Sequence, residues 1–171
     1  MPSLCYGADG IRRLIIGSIK KLIGDMKKLK VLVFDDQPFK VEAVMKAINE
    51  GVGTDNVEFD NALYINPGTH MLIRGNYDLC ILDNSMPRFP DEASHIETDC
   101  AEGVLEWCFL KNKKTKFIIC SSYTKGEKEE YFDGLCREYP EELLGYVRYD
   151  QTSIDWERKM IGLIKKNFEL K

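Results

Sequence analysis

The sequence is poor in histidine and has no cysteine pair with CxxC spacing, and both features argue against a zinc site. Its only histidines are His70 and His95. The six cysteines are scattered along the chain, and Cys80 and Cys120 lie inside apolar runs that are typical of buried strands. We therefore interpret the cysteines as buried free thiols in a reducing compartment rather than as disulfides or metal ligands.

The sequence also lacks a long apolar run and an excess of positive charge. Between Arg13 and Lys20 the uncharged stretch covers residues 14–19. A membrane-spanning helix needs about 20 apolar residues, and this stretch is also short for a signal-peptide core. The formal net charge of -4 supplies no general attraction to nucleic acid. We expect a cytoplasmic protein that does not bind nucleic acid.

From Lys30 onward, short apolar runs alternate with helix-like patterns. The predicted strands cover residues 30–35, 57–59, 78–82, 116–120 and 144–149. Helices are predicted at residues 41–48, 70–73, 101–110 and 127–136, with a closing helix from about residue 154. The second of these follows Asn66-Pro67-Gly68, which is predicted to break the chain. This alternation indicates an α/β fold with a doubly wound, mostly parallel sheet, and the 171 residues suit one domain with additions.

Residues 1–28 precede this unit and are predicted to form a basic amphipathic extension to the domain of residues 29–171. Apolar residues recur at helical spacing from Ile11 to Leu29, and lysines and arginines lie between them. We favour a helix that packs on the domain or frays in solvent. A helix that docks a partner or rests weakly on an anionic membrane surface is the alternative.

Three carboxylates follow two of the predicted strands. Asp35 and Asp36 come after the first strand, and Asp83 comes after the third, shortly before Met86-Pro87. The carboxyl ends of parallel strands form the ligand-binding edge of a doubly wound sheet. Carboxylate oxygens there predict a Mg²⁺ site beside an acceptor for a phosphoryl group. The alternative is that the acids only cap turns or helices.

The chain resembles the receiver domain of two-component response regulators over roughly residues 29–168. The matching motifs, in order, are Asp35-Asp36, Asp83 with Met86-Pro87, Ser121-Ser122 and Gly145-Tyr146-Val147. The resemblance implies a flavodoxin-like, five-stranded parallel sheet. It also implies Mg²⁺ as the cofactor, with the metal held by Asp35, Asp36, Asp83 and the backbone carbonyl of Ser85.

The resemblance further implies a role for each remaining motif. Asp83 would accept a phosphoryl group from the phosphohistidine of a histidine kinase or phosphotransfer protein. The hydroxyl of Ser121 would bond a phosphoryl oxygen, and Tyr146 would be the aromatic residue that switches on phosphorylation.

The sequence departs from the receiver pattern at two places. Tyr149 stands where the family usually has a lysine that contacts the phosphoryl group, and Asp150 replaces the usual proline. Strand alternation directs Arg148 to the opposite face, so Lys125 is the candidate substitute. The second departure is the acidic insertion at residues 88–100. We expect a long loop that either covers the site and recognises a partner or is a solvated surface insertion.

These features predict a stand-alone receiver, since the closing helix is the last element, and one that signals by docking onto an unidentified downstream protein. It would not be an enzyme acting on a separate substrate. The main alternative is a pseudo-receiver that binds partners without phosphorylation, for which Tyr149 is the best evidence. A phosphatase of the haloacid dehalogenase type is disfavoured, because Ser85 stands where that family has a second aspartate.

Overall fold

The structure is a computed structural model that describes residues 27–92, 94–123 and 128–169. The strands of its main sheet are β1 (Leu29–Phe34), β2 (Val57–Ala62), β3 (Leu79–Leu82), β6 (Lys116–Ser121) and β7 (Leu143–Arg148). Two short strands, β4 (Ser85–Pro87) and β5 (Ile96–Thr98), pair with each other outside that sheet. The main sheet is parallel throughout, in the order β2-β1-β3-β6-β7. The predicted doubly wound α/β fold is therefore confirmed.

Helices cover both faces of the sheet. They are α1 (Pro38–Val52), α2 (Ile65–Arg74), α3 (Cys100–Leu110), α4 (Glu129–Glu138) and α5 (Asp155–Asn167). Helices α1 and α5 pack on one face, and α2, α3 and α4 pack on the other. Because both faces are buried at the centre of the sheet, β3 is apolar along its whole length and β1 nearly so, which is why these strands are visible in the sequence as continuous runs.

Side-chain alternation in β1 and β3 determines where the acids after these strands point. Val33 in β1 and Ile81 in β3 belong to the apolar cluster beneath α1 and α5. Asp35 comes two residues after Val33, and Asp83 comes two residues after Ile81. With a period of two residues, both acids are directed to the α1 side of the sheet.

Helix α2 begins earlier than the sequence predicts, and the predicted chain break at Asn66-Pro67-Gly68 is wrong. All three residues lie inside the helix. Pro67 falls in the first turn, where its missing N–H has no intrahelical acceptor to lose. The backbone N–H of Asn66 donates to the carbonyl of Arg88 at 3.2 Å, so the insertion helps to anchor this helix end.

Gly68 allows α2 to approach the core, and its replacement is expected to destabilise the fold. A Cβ atom at this position would clash with Cζ of Phe34, whose ring is fully buried. We expect Gly68→Ala to lower the free energy of unfolding by about 1–3 kcal/mol, because the ring has no space to retreat. Urea denaturation of the variant and the native chain measures this difference.

Gly134→Ala is the matched control for Gly68→Ala. Gly134 also lies inside a helix, but a Cβ atom there would meet nothing within 4 Å. Alanine is the better helix former by about 1 kcal/mol, so this variant should be as stable as the native chain or slightly more stable. Equal losses in the two variants would contradict the proposed clash with Phe34.

The insertion at residues 88–100 is not the long loop that the sequence predicts. Strands β4 and β5 form an antiparallel pair in which Met86 lies opposite Glu97. Next to this pair, Arg88 contacts both carboxylate oxygens of Glu97, at 2.5 and 3.0 Å. The hydrogen bonds from Arg88 lower the pKa of Glu97. The ion pair therefore joins the two ends of the insertion.

Several predictions concern the thiols and the amino-terminal extension. The structure confirms Cys80, Cys100, Cys108 and Cys120 as buried free thiols, and Cys136 as a half-buried one.

Cys5, residues 1–26 and Lys125 lie outside the described residues. The amphipathic helix, its membrane contact and the cytoplasmic location stay predictions. Among the described helices, none combines the length and apolar character needed to cross a membrane.

Candidate functional site

Three carboxylates converge at the carboxyl ends of the neighbouring strands β1 and β3. Asp35, Asp36 and Asp83 each offer an oxygen, and these oxygens lie within 4.8 Å of one another. Asp35 and Asp83 are buried, each with 3% of its surface exposed, whereas Asp36 is half-buried. The structure therefore brings together the three acids that the sequence analysis singled out.

Backbone hydrogen bonds hold two of these carboxylates in place. Oδ1 of Asp35 accepts the N–H of Gln37 at 3.0 Å, and Oδ1 of Asp83 accepts the N–H of Asn84 at 2.8 Å. The N–H of Asp83 in turn donates to the carbonyl of Phe34 at 2.8 Å. The orientation of the acids is thus determined by the strand ends themselves.

A buried lysine that the sequence analysis missed lies among the acids. The side chain of Lys40, near the start of α1, is fully buried. Its Nζ is 2.6 Å from Oδ2 of Asp35 and 3.2 Å from Oδ1 of Asp83. One sequence signal could have found it, because Lys40 lies four residues before Val44 and eight before Ile48, on the apolar stripe of the helix.

Burial and charge together determine the protonation of this cluster. Burial raises the pKa of Asp35 to about 6, an effect that Lys40 opposes and Asp83 reinforces. Burial and the charge of Asp83 also raise the pKa of Asp36. Burial by itself would lower the pKa of Lys40, but the Asp83 and Asp35 carboxylates outweigh it, so the pKa is raised and the ammonium stays charged.

The acids fit a Mg²⁺ ion even with Lys40 present. When all four groups are ionised, three carboxylates and one ammonium leave two negative charges, which one divalent ion balances. Oδ1 of Asp36 is buried and has no hydrogen-bond partner among the described residues. A hard cation with oxygen ligands would satisfy that atom.

A cleft of about 650 Å³ opens beside the acids. Residues that directly follow the acids line it, namely Gln37, Asn84 and Ser85. Ser121, at the end of β6, and Tyr149 line it as well. The predicted site residues Ser85 and Ser121 therefore share one cleft, while the metal-binding role of the Ser85 carbonyl stays a prediction.

Tyr146 lies apart from this cleft. Its ring stacks on Phe132 of α4 at 5.1 Å between centroids, and Nζ of Lys159 lies 4.5 Å from its ring centroid. It lines a second cleft between β7 and α5 that also includes Trp156. The sequence-predicted switch residue is therefore a neighbour of the acidic site rather than a part of it.

Tyr149 is buried on the same side of the sheet as Lys40. Its ring lies 4.9 Å from that of Trp156, and Nζ of Lys40 is 5.5 Å from its centroid. Arg148 points to the other side, as strand alternation predicts, where its Nε donates to the carbonyl of Tyr123 at 2.8 Å. The lysine missing from position 149 is thus not replaced by Arg148.

A polar link ties the insertion to the rim of the cleft. Oδ1 of Asp99 accepts hydrogen bonds from Nδ2 of Asn84 at 2.9 Å and from Nζ of Lys128 at 2.6 Å. Asp99 has a φ angle of 61° and directly precedes α3. The Asp99 carboxylate is therefore hydrogen-bonded to side chains of its own domain.

Comparisons with known proteins agree with this geometry. No family model and no curated protein matches the sequence. Among solved structures, the chain is similar to the chemotaxis response regulator CheY4 of Vibrio cholerae, with a TM-score of 0.57, 14% identity, and 80% of this chain and 98% of that chain covered. It is also similar to a DNA-binding response regulator of the LuxR family from Staphylococcus aureus, with a TM-score of 0.56, 18% identity, and coverages of 81% and 97%. The receiver domain of the Francisella response regulator 1452 gives a TM-score of 0.53, 20% identity, and coverages of 82% and 100%. The chain therefore has the fold of response-regulator receiver domains, as its motifs suggested.

Proposed function

We propose that this protein is a receiver-like signalling domain that is phosphorylated on Asp83 with the help of Mg²⁺. The observation that carries the proposal is the position of the Asp83 carboxylate, which lies within 4.8 Å of those of Asp35 and Asp36 beside an open cleft. Phosphoryl transfer depends on positioning and charge neutralisation, and this centre offers both.

The proposed reaction is a simple displacement at phosphorus. An oxygen of Asp83 forms a bond to the phosphorus of a phosphohistidine on a kinase or phosphotransfer protein. The phosphorus–nitrogen bond breaks, and its electron pair returns to the imidazole. When bound by Asp35, Asp36, Asp83 and the Ser85 carbonyl, Mg²⁺ would neutralise charge on the phosphoryl oxygens.

The chain's own residues orient the acceptor and the product. The N–H of Asn84 holds one oxygen of Asp83, and the hydroxyl of Ser121 faces the same cleft as a donor for a phosphoryl oxygen. Ser121 lies opposite Arg148 in β7, two residues beyond Tyr146. A movement of Ser121 would thus be transmitted to Tyr146 through the pairing of β6 with β7. A downstream protein would dock on the surface next to Tyr146. The domain would act on itself and not on a separate substrate.

A pseudo-receiver remains the second candidate, and a specific observation favours it. Lys40 already pairs with Asp35 and Asp83, so the acidic centre is partly neutralised without metal or phosphate. Such a centre would hold the fold in one state and leave the protein as a docking module.

Intact mass measurement distinguishes the two candidates. We expect the native chain, incubated with acetyl phosphate and Mg²⁺, to gain one phosphoryl group, and Asp83→Asn to gain none, because the amide is not a nucleophile of comparable strength. The matched control is Asp55→Asn, an exposed acid in the turn before β2, which should label like the native chain. A native chain that stays unlabelled under conditions that label a known receiver would favour the pseudo-receiver.

A further inference from the structure

We infer that Lys40 is the cation that contacts the phosphoryl group on Asp83, and that Tyr149 holds it in place. This inference rests on the proposed phosphorylation of Asp83. It assigns the task to a residue of α1, whereas the resemblance implies a lysine at the end of β7, for which Lys125 was the candidate substitute.

The position of the Lys40 ammonium fits this role. Among the described residues, it is the only cation within ion-pair distance of Asp83. The two cations that line the neighbouring cleft have partners elsewhere, since Arg148 donates to the carbonyl of Tyr123 and Lys128 to Asp99. Among the described residues, no other cation is placed to meet new negative charge on Asp83.

The ammonium of Lys40 has hydrogen-bonding capacity to spare. Its Nζ lies 2.6 Å from Oδ2 of Asp35 and 3.2 Å from Oδ1 of Asp83, and an ammonium has three donors. Two carboxylate neighbours leave at least one donor for a further acceptor. A phosphoryl oxygen on Asp83 would provide an acceptor next to Oδ1, which is 3.2 Å from Nζ.

Charge balance also favours this role for Lys40. Phosphorylation replaces the single charge of the Asp83 carboxylate by a phosphoryl group with a charge of about -1.5 to -2. This charge develops beside Asp35 and Asp36 in a buried place. A fixed positive charge at Lys40 offsets the increase, and charge-assisted hydrogen bonds of this kind are the strong ones.

Tyr149 explains how a lysine on α1 can serve this purpose. The ammonium lies 5.5 Å from the centroid of the Tyr149 ring, within the range of a cation–π contact. The ring is supported by Trp156 at 4.9 Å, and the N–H of Tyr149 donates to the carbonyl of Ser121 at 3.0 Å. A lysine at position 149 would instead bring a second ammonium to the same carboxylates.

The test compares phosphorylation rate with Mg²⁺ affinity in variants of the full chain. Labelling by acetyl phosphate is followed by intact mass at saturating Mg²⁺. Mg²⁺ affinity is followed by the fluorescence of Trp156, which contacts Tyr149, in a Trp107→Phe background. The single variants are Lys40→Met and Lys40→Gln. The exchange variant combines Lys40→Met with Tyr149→Lys in one chain, so that the lysine moves from position 40 to position 149. Lys46→Met, at an exposed position of α1, is the matched control.

We expect Lys40→Met and Lys40→Gln to label about 10- to 100-fold more slowly than the native chain, because each loses a charge-assisted hydrogen bond. The same variants should bind Mg²⁺ about 10-fold more tightly or better, since a competing positive charge is gone. The exchange variant should recover most of the labelling rate, and Lys46→Met should match the native chain. If Lys40 had a purely structural role, its replacement would not lower the labelling rate while raising the affinity for Mg²⁺.

Two results would overturn the inference, and they differ from each other. If the native chain labels and the folded Lys40 variants label equally fast, the inference fails while the proposed function stands. If the native chain does not label at all, the proposed function fails and the inference fails with it. Circular dichroism in the presence of Mg²⁺ checks that each variant is folded. If Lys40→Met is not folded, the labelling rate of Lys40→Gln tests the inference.

Discussion

With divalent ions removed at about pH 8, Lys40→Met is expected to have a free energy of unfolding about 3–5 kcal/mol lower than that of the native chain. The ammonium is fully buried and pairs with Asp35 and Asp83. Methionine fills similar space but leaves two buried carboxylates facing each other without a cation. Removing one partner of a buried ion pair is costly because the other charge stays uncompensated.

This loss should depend on pH in a defined direction. The pKa of Asp35 is raised from 3.8 to about 6 in the fold. Between these values the native chain binds more protons than the unfolded chain, so this group makes stability fall as pH rises. Lys40 lowers the pKa of Asp35, so its removal extends the fall to higher pH. The deficit of Lys40→Met should be small at about pH 5, where a proton on Asp35 replaces the ammonium, and should grow above about pH 6.

Urea denaturation at the two pH values, with and without Mg²⁺, measures this effect. Mg²⁺ should recover part of the loss, because a ligand at 100 times its Kd adds about 2.7 kcal/mol to the stability of the state that binds it. The exposed control Lys46→Met should stay within about 0.5 kcal/mol of the native chain at both pH values. Equal deficits of Lys40→Met at both pH values would show that lost packing, rather than charge, is the cause.

Phe132→Ala is expected to lower the free energy of unfolding by about 3–5 kcal/mol. The side chain of Phe132 in α4 is fully buried. Its ring lies between 5.0 and 5.3 Å, centroid to centroid, from those of Tyr123, Tyr131 and Tyr146. Truncation would leave a cavity at the centre of these rings, and aromatic pair contacts would be lost in addition to apolar burial.

Denaturation with urea and the near-ultraviolet circular dichroism of the tyrosines measure this second effect. Phe109→Ala is the control, since Phe109 is also on a helix and next to a tyrosine but is 56% exposed. Its loss should be about 0.5 kcal/mol or less. If Phe132→Ala were no more destabilising than Phe109→Ala, the packing of α4 on β7 would not depend on this ring cluster.

The fold and the acidic cluster were largely predictable because both follow from local rules. Strands buried on two faces are apolar throughout, as in β3, and each is followed by a helix with its own apolar stripe. In a parallel sheet the carboxyl ends of neighbouring strands meet, so Asp35 and Asp83 had to lie close together. That β1 and β3 are neighbours is what the resemblance to receiver domains implied, since the two strands are not consecutive in the chain.

Three other features were not predictable from local rules. Lysine is normally exposed, so a lysine on an apolar stripe was overlooked at position 40. The start of α2 was misplaced because Pro67 and Gly68 usually break helices, whereas here Gly68 lets the helix approach Phe34. The insertion looked like a loop because its order depends on the pairing of β4 with β5 and on the contact of Arg88 with Glu97.

The sequence by itself determined the order of the helices and of the five main-sheet strands, the parallel sheet they form and the convergence of three acids at one edge, because hydrophobic periodicity and parallel pairing decide these. Only the tertiary structure decided how the acids are neutralised. Lys40 and Tyr149 are far apart in the sequence, and neither side chain has a reason to be buried alone. They meet the acids because α1 and Tyr149, which follows β7, lie on the same face of the sheet, where a charge is stable only with its opposite beside it.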